Sequence, residues 1–394
     1  MKVHLGKTLY EGSVVAPPSK SFSHRYLVTG ALSEGSRISQ VGESNDISAT
    51  LACLSAFGSS FTRTGNTVTF GEMGEGNPIF PCDESGTTLR FLIPLAATKF
   101  PEAHFFGSQR LISRGIDEYR HCLKSVRFQM KENEIITHGK LVPGNYEIHG
   151  DQSSQYISGM LLALPLLDGD SKLKIVGPLA SEPYVRMTLQ AMEAFGVRVQ
   201  RTPTSFLISG NQKYRAVSAT VEGDFSNSAF LEAMNFLGGD VRISGLREFS
   251  SQGDKAYREI FPLLERETTM IDITNCIDLG PVLFVFAALN HGAVFTGTDR
   301  LKIKEADRAS EMAEELEKAG VEVSLGQNYV GIGRYQGKEH LSFDGHNDHR
   351  IAMALSLFST KTDVSISGAE CVSKSFPDYW EVLEKLGGKV TYEE

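Results

Sequence analysis

The sequence predicts an α/β fold assembled from six βαβαββ-like units, three to a lobe. A short polar cluster runs six times into an apolar, small-residue stretch of helical character, at intervals of roughly 50–75 residues. Between the clusters, β-branched segments alternate with a second, amphipathic helix. The phrases LSAFGSSF, MEAFGVRV and LEKAGVEV repeat one pattern, a helix closed by glycine and followed by a strand.

Taken in order, the first cluster is PPSKSFSHR (17–25), where two prolines fix an extended approach and Ser19 or Ser21 can cap the helix that follows. DISATLACLSAFG is its amphipathic partner. The second and third clusters are SGTTLRFLIPLAA from Ser85 and SSQYISGMLLALPLLDG from Ser153, the latter followed by the strand KLKIVGP and the helix SEPYVRMTLQAMEAFG. The strand in ATVEGDF reads straight into the fourth cluster, DFSNSAFLEAMNFLGG from Asp224, and DVRISG follows it. CIDLGPVLFVFAALNHG from Cys276 and NDHRIAMALSLFS from Asn347 are the fifth and sixth. The anchors are Ser21, Ser85, Ser153, Ser226, Asp278 and Asn347. The interval from Ser226 to Asp278 is the shortest, which predicts that this unit has lost a hairpin. A crossover near Val221 to Asp224, with the strand before Pro17 assigned to the C-terminal half, gives lobes of 1–17 plus 223–394 and of 18–222. Two linkers at one hinge imply open and closed states, with the active site in the cleft between the lobes.

A content of 41% hydrophobic residues is ample for a globular core. The net charge of −9 repels nucleic acid and anionic membranes, so any anion site must be a local concentration of cations. Five cysteines, odd in number and never in CxxC spacing, argue against a disulfide framework or a zinc cluster and point to a reducing compartment. No apolar signal core or membrane-length run is seen, and the expected location is the cytoplasm. His346 and His349 around Asp348 lack further metal ligands nearby.

Ser, Thr, Asp and Asn at the head of apolar runs are N-cap residues, and uncapped N–H groups with the positive end of the helix dipole attract anions. A cap that merely caps explains any one cluster equally well. The clusters also carry Lys20, Arg25, Arg90 and Arg350, however, and a buried helix with a basic mouth calls for a negative ligand. In LKIKEADR (301–308), Lys304 and Arg308 share a face if the segment is helical, with Glu305 between them; the plainer reading is a solvated surface with an ion pair. Lys374 reads either as a ligand cation or as a surface lysine ahead of a C-terminal helix.

PPSKSFSHR, SGTTLR, SSQY, SEPY, IKEADR, NDHRIAMA and SKSFPDYWE, in this order and at these separations, resemble the 5-enolpyruvylshikimate-3-phosphate synthase family of 3-phosphoshikimate 1-carboxyvinyltransferases. The resemblance covers nearly the whole chain. It implies a two-lobed inside-out α/β barrel, each lobe having three units around a pseudo-threefold axis. It also implies transfer of the enolpyruvyl group of phosphoenolpyruvate to the 5-hydroxyl of shikimate 3-phosphate, with inorganic phosphate released through a tetrahedral intermediate. No metal or organic cofactor is implied, nor any nucleic-acid or membrane partner, and a monomer is expected.

Carried over motif by motif, the resemblance assigns Lys20, Ser21 and Arg25 to shikimate phosphate, with Lys20 also facing phosphoenolpyruvate and counted among the catalytic residues. Ser153, Ser154, Gln155, Ser181 and Tyr184 belong with the shikimate-phosphate shell, and Lys304 with the same substrate. Gly86, Thr87, Arg114, Arg308, Arg350 and Lys374 fall on the phosphoenolpyruvate side, with Gln155 shared. Asp278 is implied as the base at the 5-hydroxyl and Glu305 as the acid that exchanges a proton with the methylene. From the residues alone, Asp278 reads equally as an N-cap ahead of Gly280 and Pro281. The chain departs from the family pattern at Glu84, where asparagine is usual, at Leu279 and Gly280 after Asp278, at Gly115 after Arg114 (with Arg110 as a rival), and at Arg300. A sister family transfers enolpyruvyl to UDP-N-acetylglucosamine but carries a cysteine in a mobile loop, and FFGSQRLISRG has none. A non-catalytic phosphate-binding scaffold is the remaining alternative, and it would not need Asp278 and Glu305.

Overall fold

The computed structural model describes residues 1–393. The chain forms two compact units, a central one of Pro18–Glu222 and a split one made of Met1–Pro17 and the chain from Gly223 on. Strands β1 (Lys2–Gly6) and β2 (Glu11–Val15) open the split unit. The central unit begins with α1 (Lys20–Ala31), β3 (Arg37–Ser39), α2 (Asn45–Phe57), β4 (Ser59–Thr64) and β5 (Thr67–Met73). Its second repeat is β6 (Ile79–Asp83), α3 (Gly86–Lys99), β7 (Glu102–Gly107), the short α4 (Gln109–Ser113) and α5 (Asp117–Cys122), β8 (Arg127–Met130) and β9 (Glu134–His138). The third is β10 (Asn145–His149), α6 (Ser154–Ala163), β11 (Ser171–Val176), α7 (Glu182–Ala194), β12 (Gln200–Arg201) and β13 (Ser205–Ile208), and β14 (Ser218–Thr220) ends the unit.

The split unit resumes with α8 (Phe225–Phe236), β15 (Asp240–Ser244) and α9 (Tyr257–Arg266). Next come β16 (Thr269–Asp272), α10 (Gly280–Leu289), β17 (Ala293–Thr296), α11 (Arg308–Lys318), β18 (Val323–Leu325) and β19 (Tyr329–Ile332). The last repeat is β20 (Leu341–Asp344), α12 (His349–Leu355), β21 (Val364–Ser367), α13 (Tyr379–Lys385) and β22 (Lys389–Glu393).

Among the described residues, five of the six sheets have four strands and one topology: a parallel pair, then two antiparallel steps. In the central unit the orders are β14-β3-β5-β4, β6-β7-β9-β8 and β10-β11-β13-β12. In the split unit they are β16-β17-β19-β18 and β20-β21-β1-β22, the first strand of the chain completing the last repeat. The sixth sheet is only β15-β2, a parallel pair. This is the hairpin loss that the short fourth interval predicts, since α9 runs on to β16 with no intervening strands.

Layering follows from burial. Strands alternate, as in β11, where Ser171, Leu173 and Ile175 are buried and Lys172 and Lys174 exposed, so each sheet shows one face to solvent. The helices behind the polar clusters, α1, α3 and α6 in one unit and α8, α10 and α12 in the other, are buried over almost their whole length. Each unit is therefore inside-out, with apolar helices within and sheets outside. Helices α2, α7 and α11 bury one face, and the first closes on Gly58 at φ 111, a left-handed position that glycine adopts without strain.

Helix α3 shows what holds the interior. Pro94 lies inside it and cannot donate to the carbonyl of Arg90, a defect worth about 3 kcal/mol. Fully burying Phe91, Leu92, Ile93 and Leu95, at about 1.5–3 kcal/mol each, outweighs that loss. The orphaned carbonyl is satisfied by Tyr119, whose hydroxyl donates to it at 2.5 Å. The approach is open because Gly159 of α6 has no side chain: a Cβ there would lie 2.3 Å from both the carbonyl oxygen and the Tyr119 hydroxyl.

Candidate active site

The polar clusters form helix mouths in both units. Ser19 caps α1, Ser85 caps α3 and Ser153 caps α6, each accepting a hydrogen bond from a backbone N–H in the first turn. In the split unit the caps are Asp224 for α8 and Asp348 for α12, so the anchors Ser226 and Asn347 flank the caps rather than serve as them. Asp278 is not the N-cap of α10, which is Leu279: it sits in a 3-10 turn, Ile277–Leu279, ahead of that helix.

In the central unit, Lys20 begins α1 and pairs with Asp46 of α2 at 2.8 Å. Arg25, one turn on, is buried: Nε donates to Thr188 Oγ1 at 2.8 Å, and its terminal nitrogens donate to the carbonyls of Ser21 (2.7 Å) and Tyr184 (2.9 Å). Its guanidinium lies 5.3 Å from the Phe91 ring centre and 6.0 Å from that of Tyr184. Burial, only partly opposed by Tyr184, lowers its pKa to about 10, which still leaves it charged at neutral pH. Ser21, Arg25 and Tyr184 are thus one constellation.

Gly86, Thr87, Arg114, Ser153 and Gln155 form a second. A Cβ on Gly86, at the start of α3, would stand 3.0 Å from the terminal nitrogens of both Arg114 and Arg90. Two guanidinium groups therefore converge on a helix N-terminus kept bare by glycine. Gln155 joins α6 to this mouth, accepting from Arg90 at 2.7 Å and donating to Thr87 Oγ1 at 2.9 Å, while Ser153 accepts from the Gln155 N–H. Ser154 is buried beside them in the first turn of α6. Ser181, buried and at φ 55, precedes α7, and its carbonyl accepts from Tyr184 N–H.

The split unit gathers Asp278, Lys304, Glu305, Arg308 and Arg350. Asp278 Oδ1 lies 3.0 Å from Lys304 Nζ and 2.8 Å from Arg308, and Oδ2 is 3.7 Å from Arg350. Burial alone would raise the Asp278 pKa, but Lys304, Arg350 and Arg308 overcome it and hold the group well below the usual carboxylate range. Lys304 is lowered by burial, with Asp278 opposing. Arg308, 1% exposed, also grips Glu305 at 2.6 Å and Asp348 at 2.8 Å, and its pKa is raised because these carboxylates outweigh the cost of burying it. LKIKEADR is not one helix: a 3-10 turn ends at Ile303, and α11 begins at Arg308 behind the cap Asp307, so the shared helical face is absent while the Glu305–Arg308 ion pair is present. Lys374 donates to the carbonyl of Asn347 at 2.5 Å, next to Asp348, which in turn accepts from the Arg350 N–H.

Asp46, Thr188, Ser226 and Asp348 join the site without being among the expected site residues, and Arg90, expected only as a cation of a helix mouth, holds Gln155. Arg90 carried a signal, as a cation inside an apolar helix. Asp348 lies within the NDHR motif, and its signal there is the cap position ahead of the helix that begins at His349. Ser226, an anchor of the repeat, accepts from Arg350 at 2.6 Å. His346 is held by Glu311 at 2.7 Å and Glu315 at 2.5 Å.

Threefold repeats, helix mouths lined with buried cations, and a cluster of carboxylates gathered on a buried arginine define an α/β protein whose polar groups suit small anionic ligands. The comparisons narrow the class. A family model described as EPSP synthase (3-phosphoshikimate 1-carboxyvinyltransferase) matches residues 6–383, and the chain belongs to that family. Proteins named 3-phosphoshikimate 1-carboxyvinyltransferase from Clostridium kluyveri and Clostridium novyi are 39% and 35% identical to it. The first alignment covers 98% of each chain, the second 96% of this one and 95% of the other. Among solved structures, an EPSP synthase from Acinetobacter baumannii superposes with a TM-score of 0.78 over 99% of this chain and 100% of that one, at 23% identity. The enolpyruvyl transferase NikO from Streptomyces tendae gives 0.74 over 99% and 98%, at 15% identity. The last two establish the fold.

Proposed function

We propose that the chain catalyses phosphoenolpyruvate + shikimate 3-phosphate → 5-enolpyruvylshikimate 3-phosphate + inorganic phosphate, the 3-phosphoshikimate 1-carboxyvinyltransferase step of the shikimate pathway. The observation that carries the residue assignment is the Asp278–Arg308–Glu305 arrangement, two carboxylates held by one buried guanidinium with Lys304 and Arg350 alongside. Glu305 gives a proton to the methylene carbon of phosphoenolpyruvate, and positive charge develops at the carbon bearing the phosphate. The 5-hydroxyl adds there, and its proton passes to Asp278. Asp278 is a weak base, given its low pKa, and this suffices because the hydroxyl becomes strongly acidic only as its new bond to carbon forms. From the tetrahedral adduct Glu305 takes a proton back from the methyl group while the carbon–phosphate oxygen bond breaks and phosphate leaves.

Lys20, Ser21 and Arg25, with Ser153, Ser154, Gln155, Ser181, Tyr184 and Lys304, are assigned to shikimate 3-phosphate. Gly86, Thr87, Arg114, Arg308, Arg350 and Lys374 are assigned to phosphoenolpyruvate, with Lys20 and Gln155 serving both. Two phosphates and a carboxylate on each substrate demand such a concentration of donors. The same reading makes the protein a cytoplasmic monomer that needs no metal or organic cofactor; among the described residues no helix is long and apolar enough to cross a membrane. The decisive test is phosphate release from phosphoenolpyruvate with shikimate 3-phosphate or UDP-N-acetylglucosamine as acceptor. Release with the first alone is expected; release with the second, or with neither, overturns the assignment.

A further inference from the structure

A buried hydrogen-bond chain ties α1 to the mouth of α3. His24 lies in α1 between Lys20 and Arg25 and is 1% exposed. Its Nδ1 is 2.7 Å from Thr50 Oγ1 of α2, which is 2.7 Å from Thr88 Oγ1 of α3, which donates to Ser85 Oγ at 2.7 Å. Ser85 also accepts from the Thr88 N–H at 3.3 Å, so it is the cap of the helix that begins at Gly86. All four side chains are buried.

Each hydroxyl has one hydrogen, and counting them fixes the direction. Thr88 spends its hydrogen on Ser85. Thr50 has two acceptors for its one hydrogen, Thr88 Oγ1 at 2.7 Å and the Asp46 carbonyl at 3.1 Å, and a hydrogen directed to the first or shared with the second leaves Thr50 to accept from His24. His24 Nδ1 therefore carries the proton, and Nε2, which has no hydrogen-bond partner, presents only a lone pair. Burial, reinforced by Lys20 and Arg25, holds the His24 pKa well below its ordinary value, so the ring is neutral and its tautomer is what matters. The one hydroxyl hydrogen the chain leaves unspent is that of Ser85, at the mouth where the Arg90 and Arg114 guanidiniums converge.

We propose that His24 is a positioning residue for phosphoenolpyruvate: as the Nδ1–H tautomer it polarises the Thr50–Thr88–Ser85 chain in one direction and holds the Ser85–Gly86–Thr87 turn in its binding geometry. This rests on the proposed function, in which Gly86 and Thr87 receive phosphoenolpyruvate. The opposite tautomer would turn His24 into an acceptor and reverse the Thr50, Thr88 and Ser85 hydroxyls, spending on Thr88 the hydrogen that Ser85 otherwise keeps for the mouth.

The test uses the full chain and varies the two substrates separately. Asparagine places an amide N–H about where Nδ1–H stands, whereas glutamine places it nearer Nε2. Expected is a rise of about tenfold in KM for phosphoenolpyruvate in His24→Gln and Thr50→Val, the order of effect of one lost buried hydrogen bond. His24→Asn should stay within about twofold of the unsubstituted enzyme, and kcat and KM for shikimate 3-phosphate should change little in all three. The His24→Gln/Thr50→Val combination should be no worse than either alone, because both break one chain. Equal effects of Asn and Gln, or additive losses in the double variant, overturn the proposal. A second measurement, the ¹⁵N shifts of the His24 ring, does not depend on the reaction: a protonated Nδ1 is expected, and a protonated Nε2 overturns the chain even in a protein with no transferase activity. Absence of phosphate release from the unsubstituted protein, with Nδ1 protonated, would instead sink the functional reading.

Discussion

The two units hold their most buried arginines in opposite ways. In the central unit Arg25 and Arg90 donate to carbonyls, a hydroxyl and an amide, and among the described residues no carboxylate stands within ion-pair distance of either. In the split unit Arg308 alone engages Asp278, Glu305 and Asp348, and Lys304 and Arg350 lie against Asp278. Neutral partners orient a guanidinium without cancelling its charge, so the central unit keeps positive charge in hand for a dianion. Carboxylates cancel charge, and Asp278 among them is held ionised and aimed, as a proton acceptor requires. Lys20, paired with Asp46, does not follow Arg25 and Arg90 in this.

The largest effect should come from the split unit's carboxylates. Glu305→Gln keeps size and the contact to Arg308 but cannot deliver a proton, and kcat should fall by about 10²–10⁴-fold with substrate affinity retained. Steady-state kinetics with calorimetric titration of shikimate 3-phosphate separate the two. A variant that turns over normally removes Glu305 from the chemistry.

Next in size is stability. Arg308→Leu strands Asp348 and weakens the hold on Asp278 and Glu305, and losing one partner of a buried ion network costs about 3–5 kcal/mol. Arg25→Leu strands no carboxylate. It should cost less in chemical denaturation, closer to the roughly 1–3 kcal/mol of unsatisfied acceptors, while weakening shikimate 3-phosphate binding more. Equal losses from the two substitutions would erase the distinction between the units. Tyr119→Phe offers a smaller check inside the central unit: it orphans the Arg90 carbonyl that Pro94 leaves open, at about 1–3 kcal/mol. Denaturation with an unchanged midpoint would mean that water or a shifted helix satisfies the carbonyl.

How much of this was legible in the sequence depended on whether the signal was local. Apolar runs behind polar heads gave the buried helices, glycine-closed amphipathic stretches gave α2, α7 and α11, and one short interval gave the two-stranded sheet. The cations stood in the motifs themselves. What composition and spacing could not supply was who compensates whom, because Asp46, Thr188 and Asp348 meet Lys20, Arg25 and Arg308 only through tertiary packing. The break between the 3-10 turn and α11 was hidden for a related reason: Asp307 is a cap, and Lys304 to Arg308 has good helical spacing regardless. His24 stands inside PPSKSFSHR with no local signal of its own, and its place as first donor of a chain depends on Thr50 and Thr88, which reach it only through packing.

The smallest and most specific effect concerns acid. Asp278 has a folded-state pKa well below its ordinary 3.8, because Lys304, Arg350 and Arg308 together outweigh burial. A carboxylate so depressed contributes stability that is fully present above the unfolded value and is lost as pH falls through the folded one. Asp278→Asn removes that contribution at every pH. The difference in urea midpoint between the unsubstituted protein and this variant should therefore be constant at neutral and mildly acid pH and shrink once pH drops below about 4. In the central unit, Asp46→Asn provides the contrast, since among the described residues Asp46 pairs with Lys20 alone, and a single pair at the edge of burial is worth about 1 kcal/mol or less. A midpoint difference for Asp278→Asn that stays flat through the acid range would mean that Lys304, Arg308 and Arg350 do not stabilise its charge. The split unit would then owe its order to packing alone, and the contrast between the two units would rest on Arg308 with Asp348.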